Sequence, residues 1–278
     1  MATIEYSLFR AKFIQPHQGS LFAQKISPGQ VFLEAINERP STEIREGYTW
    51  HIGNIKPFDE TTGYFAVGRT TNATIETFDD VTGNFIEQEL ETSPYTHVVY
   101  NAEIGFLAIA TKSRLAPSAK AIAAKIESLL SLTSIVLQNE LTVEIPPIRD
   151  PKGFLKEIAG AHRVCRFTAT FRGPNPFDAD ELFQRPLSVY LSAANGSEGK
   201  AQIKGDHLDK DVLQSVARSS AATGNEASAR IQRAKAQPLV TVHLSGDPVK
   251  KTYDLASHDP EKVSHDMTKL YHQIRNDE

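Results

Sequence analysis

One cysteine, Cys165, is all the chain has, so no internal disulfide can form. Disulfide frameworks belong to oxidising compartments, and reducing cytoplasm is the expected location. Long hydrophobic runs are missing as well. Stretches such as Gly105-Phe106-Leu107-Ala108-Ile109-Ala110 fall far below the roughly 20 apolar residues of a membrane span. Met1–Glu5 shows no basic region leading into an apolar stretch, so no signal peptide is expected. A strong charge of one sign is lacking too: the 278 residues carry a net −4. Net charge alone therefore predicts neither nucleic acid nor membrane. Gly-x-Ser-x-Gly, the phosphate loop and Gly-x-Gly-x-x-Gly are all absent. Serine-hydrolase, ATPase, kinase and dinucleotide chemistry lack their basic parts, and no cofactor is expected.

What is present is ordinary globular composition: 40 % hydrophobic and 23 % charged. That excludes wholly disordered and collagen-like chains. At roughly 100–200 residues per domain, 278 residues suggest about two domains. Pro146-Pro147-Ile148-Arg149-Asp150-Pro151 is the clearest break, because proline donates nothing to a ladder and disfavours helix before it. The expected units are 1–148, strand-rich, and 154–278. Charge divides with them: residues 1–150 carry a net −6 and 151–278 a net +2.

Periodicity supplies the elements. Strands are expected at 3–13, across much of 47–111, and at 141–145. Residues 104–110 are apolar on both parities, as a strand covered on both faces would be. Ser27-Pro28 opens a helix over 28–38, and Ala119, Ile122, Ala123, Ile126, Leu129 and Leu130 mark another. In the second half, 162–172, 187–191, 199–204, 227–236, 239–244 and 250–255 read as strands. Residues 178–184 suggest a helical turn, and Gly246-Asp247-Pro248 a turn between the last two strands. Asp209 and Asp259 cap helices over 210–222 and from 260 onward. Sheet and helix mix without regular βαβ alternation, which is an α+β pattern with mainly antiparallel sheets.

Strand parity carries the functional argument, since alternate residues face opposite sides. If the apolar parity packs on the helices, the other faces carry Arg166, Thr168, Thr170 and Arg172; Ser188, Tyr190 and Ser192; Lys200, Gln202 and Lys204; Thr241 and His243; Lys250, Thr252 and Asp254. Five of these are Arg or Lys and one is Asp. Cations neutralise phosphates, hydroxyls and amides donate to them, and tyrosine can stack on a base. An ordinary solvated face has a similar composition. Arg230, Arg233 and Lys235, with Arg218 on the preceding helix, form a second basic group that could extend the patch. Cys165 shares its parity with Phe167 and Phe171, which places it in the core as an inert thiol.

Metal chemistry finds little support. His258, His265 and His272 recur every seven residues, about 10 Å along a helix, too far apart for one ion. Asp178, Asp180, Glu181, Glu198 and Lys200 only loosely resemble a nuclease cluster. The three acidic residues at 178–181 read better as the first turn of a short helix.

The layout of Tyr100-Asn101-Ala102-Glu103-Ile104-Gly105-Phe106, then a helix, then Phe171-Arg172-Gly173-Pro174-Asn175-Pro176-Phe177 resembles the RexA proteins of the lambda Rex phage-exclusion system. Leu187-Ser188-Val189-Tyr190-Leu191 and Pro238-Leu239-Val240-Thr241-Val242-His243-Leu244, before the closing helix, extend the likeness over most of the chain. The resemblance implies a cytoplasmic, prophage-encoded defence protein that binds DNA with little sequence preference. It also implies a homodimer and a small membrane partner protein. The leading expectation is thus a non-enzymatic DNA-binding sensor, with duplex DNA as partner. A metal-dependent nuclease effector and a protein-binding adaptor are the alternatives. The residues expected to bind nucleic acid are Arg166, Arg172, Lys200, Lys204, Arg218, Arg230, Arg233, Lys235 and Lys250.

Overall fold

A computed structural model describes residues 2–14, 26–172, 183–194, 196 and 198–276. Every strand pairing in it is antiparallel, and the fold is α+β. The first half supplies β1 (Thr3–Arg10), β2 (Lys12–Ile14), α1 (Pro28–Asn37), β3 (Ser41–Arg45), β4 (Tyr48–Pro57), β5 (Thr62–Asp79), β6 (Asn84–Thr92), β7 (Tyr95–Asn101) and β8 (Phe106–Ala110). Then come α2 (Ala119–Leu130), α3 (Ser134–Gln138) and β9 (Thr142–Glu144). The second half supplies α4 (Lys152–Gly160), β10 (Arg163–Arg172), α5 (Gln184–Ala193), β11 (Glu198–Lys204), α6 (Lys210–Ala222), β12 (Ala227–Gln232), β13 (Leu239–His243), β14 (Lys250–Asp254) and α7 (Pro260–Arg275).

Two main sheets form. The larger runs β14-β1-β8-β7-β5-β4-β3, with β6 on β5; the smaller runs β11-β10-β12-β13. β8 sits inside the larger sheet and is buried along its whole length, which is why its residues are apolar on both parities. Phe9, Leu107 and Ile109 on one face pack with α1 and α2 through Phe32, Ile36, Ile122 and Ile126. Tyr6, Leu8, Phe106 and Ala108 on the other face share a core with α4, α6 and α7. That same core takes in Phe167, Ala169, Ala229 and Ile231 of the smaller sheet. The layers therefore run helix, sheet, helix, sheet, and no described helix covers the outer face of the smaller sheet.

The helices start where local chemistry dictates. Ser27 and Gln30 form a reciprocal capping box at α1, with Pro28 in the first turn; this satisfies two orphan amides. Asp209 accepts from the amides of Asp211 and Val212 at α6. Asp259 accepts from Glu261 at α7, which buries Val263, Met267, Tyr271 and Ile274. Among the described residues no helix is long and apolar enough to cross a membrane.

Three expectations need correction. Residues 187–191 are not a strand; they lie in α5, with Gln184, Leu187 and Leu191 turned inward and Val189 and Tyr190 exposed. Five residues of Leu-x-x-x-Leu satisfy strand alternation and helical i, i+4 spacing alike, and tertiary contact decides between them. Gly246-Asp247-Pro248 does not close a hairpin, because β13 belongs to the smaller sheet and β14 pairs with β1 in the larger. Nor does the break at 146–153 separate two cores. Arg10 donates its amide to Pro146, Ile148 to Leu8, and Val249 to Ile148, so this segment is stitched between β1 and the approach to β14. The turn expected at 178–184 lies mostly outside the described residues.

Candidate nucleic-acid interface

β10 is the central scaffold of the smaller sheet. Its apolar side chains Val164, Phe167, Ala169 and Phe171 are buried, which turns the alternate residues outward. Register then composes rows across the outer face. Lys204 lies opposite Arg166, and Arg166 opposite Arg230, which faces Thr241. In the next row Gln202 faces Thr168, Thr168 faces Ser228, and Ser228 faces His243. Lys200 stands opposite Thr170, and Glu198 opposite Arg172. Strands lie about 4.8 Å apart, so Lys204, Arg166 and Arg230 fall within about 10 Å of one another.

Like charges placed directly opposite on a sheet repel, and here three stand in one row. Arg166, Lys200, Lys204 and Arg230 have no carboxylate partner among the described residues. The Arg166 Nε is buried without a hydrogen-bond partner. Lys200, Lys204 and Arg230 are exposed. Hydrogen-bonding groups flank them, with Gln202 Nε2 donating to Thr168 Oγ1 at 3.2 Å. Such an array is complementary in charge to a polyanion, and its spacing is set by the strand register.

The remaining predicted residues disperse. Arg172 is held by Glu144 at 2.8 Å and Glu198 at 3.0 Å, which neutralise it at the end of the face. Arg233, just past β12, is bound by Glu157 through bonds of 2.9 and 3.1 Å. Lys235 is exposed in the β12–β13 connection. Arg218 on α6 lines a different pocket, with Asp150, Lys152, Asp247 and Lys250. Lys250 belongs to the larger sheet, where Glu5 lies 3.3 Å from its amine. Ser188 and Tyr190 leave the face with α5. The sheet thus brings together Arg166, Lys200, Lys204 and Arg230.

No family model matches the chain, and no curated protein is similar enough to it to show kinship. What bears on function is the geometry of the face itself.

One cation was missed by parity counting. Arg163 lies opposite Gln232 and donates to its side chain at 2.7 Å. It shares the outer face with Arg166, although the two are three residues apart. A β-bulge between Val164 and Arg166 inserts one residue, which resets the alternation. Nothing in the local sequence announces that insertion.

The same bulge corrects the reading of Cys165. It is the extra residue, partly exposed, with its Sγ 3.9 Å from the Asp206 carbonyl, while Val164 takes the buried position. A thiol reagent should accordingly label Cys165 in the native protein within minutes. Labelling only after denaturation would return Cys165 to the core.

Of the recurrent histidines, His258 stacks on His97 and its Nε2 lies 2.7 Å from the Tyr6 hydroxyl. His265 and His272 are exposed on α7. Asp178, Asp180 and Glu181 lie outside the described residues, and Glu198 is occupied by Arg172. Burial lowers the pKa of both His97 and His258 from the ordinary 6.5; Lys112 adds to the effect at His97, and Asp259 opposes it at His258. The fold therefore favours the neutral form of both histidines more than water does. Their contribution to stability is present above about pH 6.5 and is lost as pH falls through the lowered values. The melting temperature should drop as pH falls from about 7.5 to about 5.5, and a His97→Gln variant should drop less.

Proposed function

We propose that this protein is a non-enzymatic DNA-binding protein that grips the phosphates of duplex DNA with little sequence preference. The observation that carries the reading is the row Lys204–Arg166–Arg230, with Lys200 beside it. Phosphate contacts position a protein without reading sequence, and this face offers cations, hydroxyls and amides for that purpose. It presents no Phe, Tyr or Trp among its described residues, so base stacking, the usual device of single-strand binders, has no platform. That favours duplex over single strands.

The resemblance to the RexA proteins extends the proposal to a cytoplasmic sensor in a prophage-encoded anti-phage system. It brings with it a homodimer and a small membrane partner protein. Mobility-shift titrations on two unrelated duplexes and one single strand, each with magnesium and with EDTA, test the core of this reading. Equal affinity for the duplexes, weaker single-strand binding and intact DNA are expected. Magnesium-dependent cleavage would favour the nuclease alternative. Absence of any shift would favour a protein-binding adaptor.

A further inference from the structure

β5 runs beyond its neighbours. Its pairing with β4 ends at Thr70 and with β7 at Gly68, and from Thr71 to Asp79 it pairs with β6 alone. Residues 71–92 are thus a two-stranded arm leaving the larger sheet. The arm holds Glu76, Asp79, Asp80, Glu87, Glu89 and Glu91 and no Lys or Arg. Its closing turn is well tied: Asp79 accepts from the Val81 amide at 2.9 Å and the Thr82 hydroxyl at 2.7 Å.

Register sorts the arm into two faces. One carries Glu91, Glu89, the opposed pair Glu76–Glu87 and, next to the tip, the opposed pair Phe78–Phe85. Carboxylates directly opposite each other destabilise a ladder, and none of these four glutamates has an ion-pair partner among the described residues. Phe78 and Phe85 meet edge to face at 5.2 Å while 52 % and 82 % exposed. The arrangement calls for a cationic surface that also accepts aromatic rings.

We propose that this arm docks on the cationic face of a second copy of the chain. In a reciprocal pair each arm covers the partner's Arg166, Lys200, Lys204 and Arg230, so the free protein masks its own DNA-binding face. Charge complementarity is the first argument: the charged residues of the arm are all acidic, and the face holds four cations with no carboxylate partner among the described residues. Spacing is the second. Glu87 and Glu91 lie four residues apart on one strand, about 13 Å, as do Lys200 and Lys204 on β11. Guanidinium groups bind over aromatic faces, which suits Phe78 and Phe85 to Arg166 and Arg230. Reciprocal exchange closes the pair and avoids an open chain of copies. Masking rests on the DNA-binding reading above; self-association does not.

The experiment measures the mass of the full chain in solution and its affinity for a short duplex. Wild type is expected at twice 30.7 kDa in about 50 mM salt, and at the single-chain mass in about 500 mM, where exposed charges are screened. A Glu76→Gln/Glu87→Gln/Glu89→Gln variant should stay at the single-chain mass in both. Where about nine-tenths of wild type is paired, this variant should bind duplex about tenfold more tightly. A second variant, Glu76→Lys/Glu87→Lys/Glu89→Lys, mixed with Lys200→Glu/Lys204→Glu, should restore a pair that neither forms alone. Single-chain wild type at low salt, or an arm variant that still pairs, overturns the docking. Unchanged duplex affinity in the arm variant overturns the masking. If no duplex binds wild type or variant while the salt-sensitive pairing persists, the docking is supported and the DNA-binding reading fails instead.

Discussion

Arg166→Gln with Lys204→Glu and Arg230→Glu is expected to cut duplex affinity about 500-fold near 0.1 M salt, and the melting temperature should hold or rise. The affinity figure follows from counterion release. Each phosphate contact contributes about 0.9 to the log–log salt slope, so three lost contacts remove about 2.7 log units at 0.1 M relative to 1 M. The stability prediction follows from the same geometry. The three cations face each other across adjacent strands with no carboxylate among the described residues to separate them, and relieving that repulsion favours the fold. Their side chains point away from Phe167, Ala169 and Ala229, so the core is left alone. Binding sites commonly cost stability in this manner. Paired measurement of affinity and melting temperature separates the cases: loss of both would mark the row as structural, and loss of neither would remove it from the interface.

The second large effect concerns the shared core. A chain ending at residue 148 should not fold cooperatively. It would lose β14 from the edge beside β1, and with α7 the buried Val263, Met267, Tyr271 and Ile274 that cover Tyr6, Leu8 and Phe106. It would also lose Tyr271 as the acceptor for the buried Arg10 guanidinium, 2.8 Å away. In the full chain Met267→Ala, at a fully buried site, should cost about 2–5 kcal/mol, a large share of a typical domain's stability. Circular dichroism of the fragment and denaturant unfolding of the variant check both. A cooperative melt of residues 1–148 alone would show two independent units after all.

Much of this architecture is legible in the sequence, and each failure has its own physical cause. The helices at 28–37, 119–130, 210–222 and 260–275 carry caps and apolar stripes that local chemistry enforces. The outward parity of Arg166, Lys200 and Lys204 likewise needs only strand alternation. Arg163 was missed and Cys165 misplaced because a single bulge residue inverts the alternation before it, and bulges leave no reliable local signature. Residues 187–191 were misread because five residues cannot separate periods of 2 and 3.6. Pro146 and Pro147 look like a linker since they lack amide donors, yet the carbonyl of Pro146 still accepts from Arg10. Lys250 and Arg218 fell off the face for a non-local reason: β14 crosses to the other sheet, and no sequence spacing reports that.

The salt dependence of duplex binding, measured on the Glu76→Gln/Glu87→Gln/Glu89→Gln variant so that salt does not also unmask the face, tests the central claim most directly. Arg166, Lys200, Lys204 and Arg230, which have no carboxylate partner among the described residues, each displace counterions and predict a log–log slope of about −3 to −4, with the same slope on unrelated sequences. A slope near zero, or binding confined to one sequence, would contradict an interface built from Arg166, Lys200, Lys204 and Arg230.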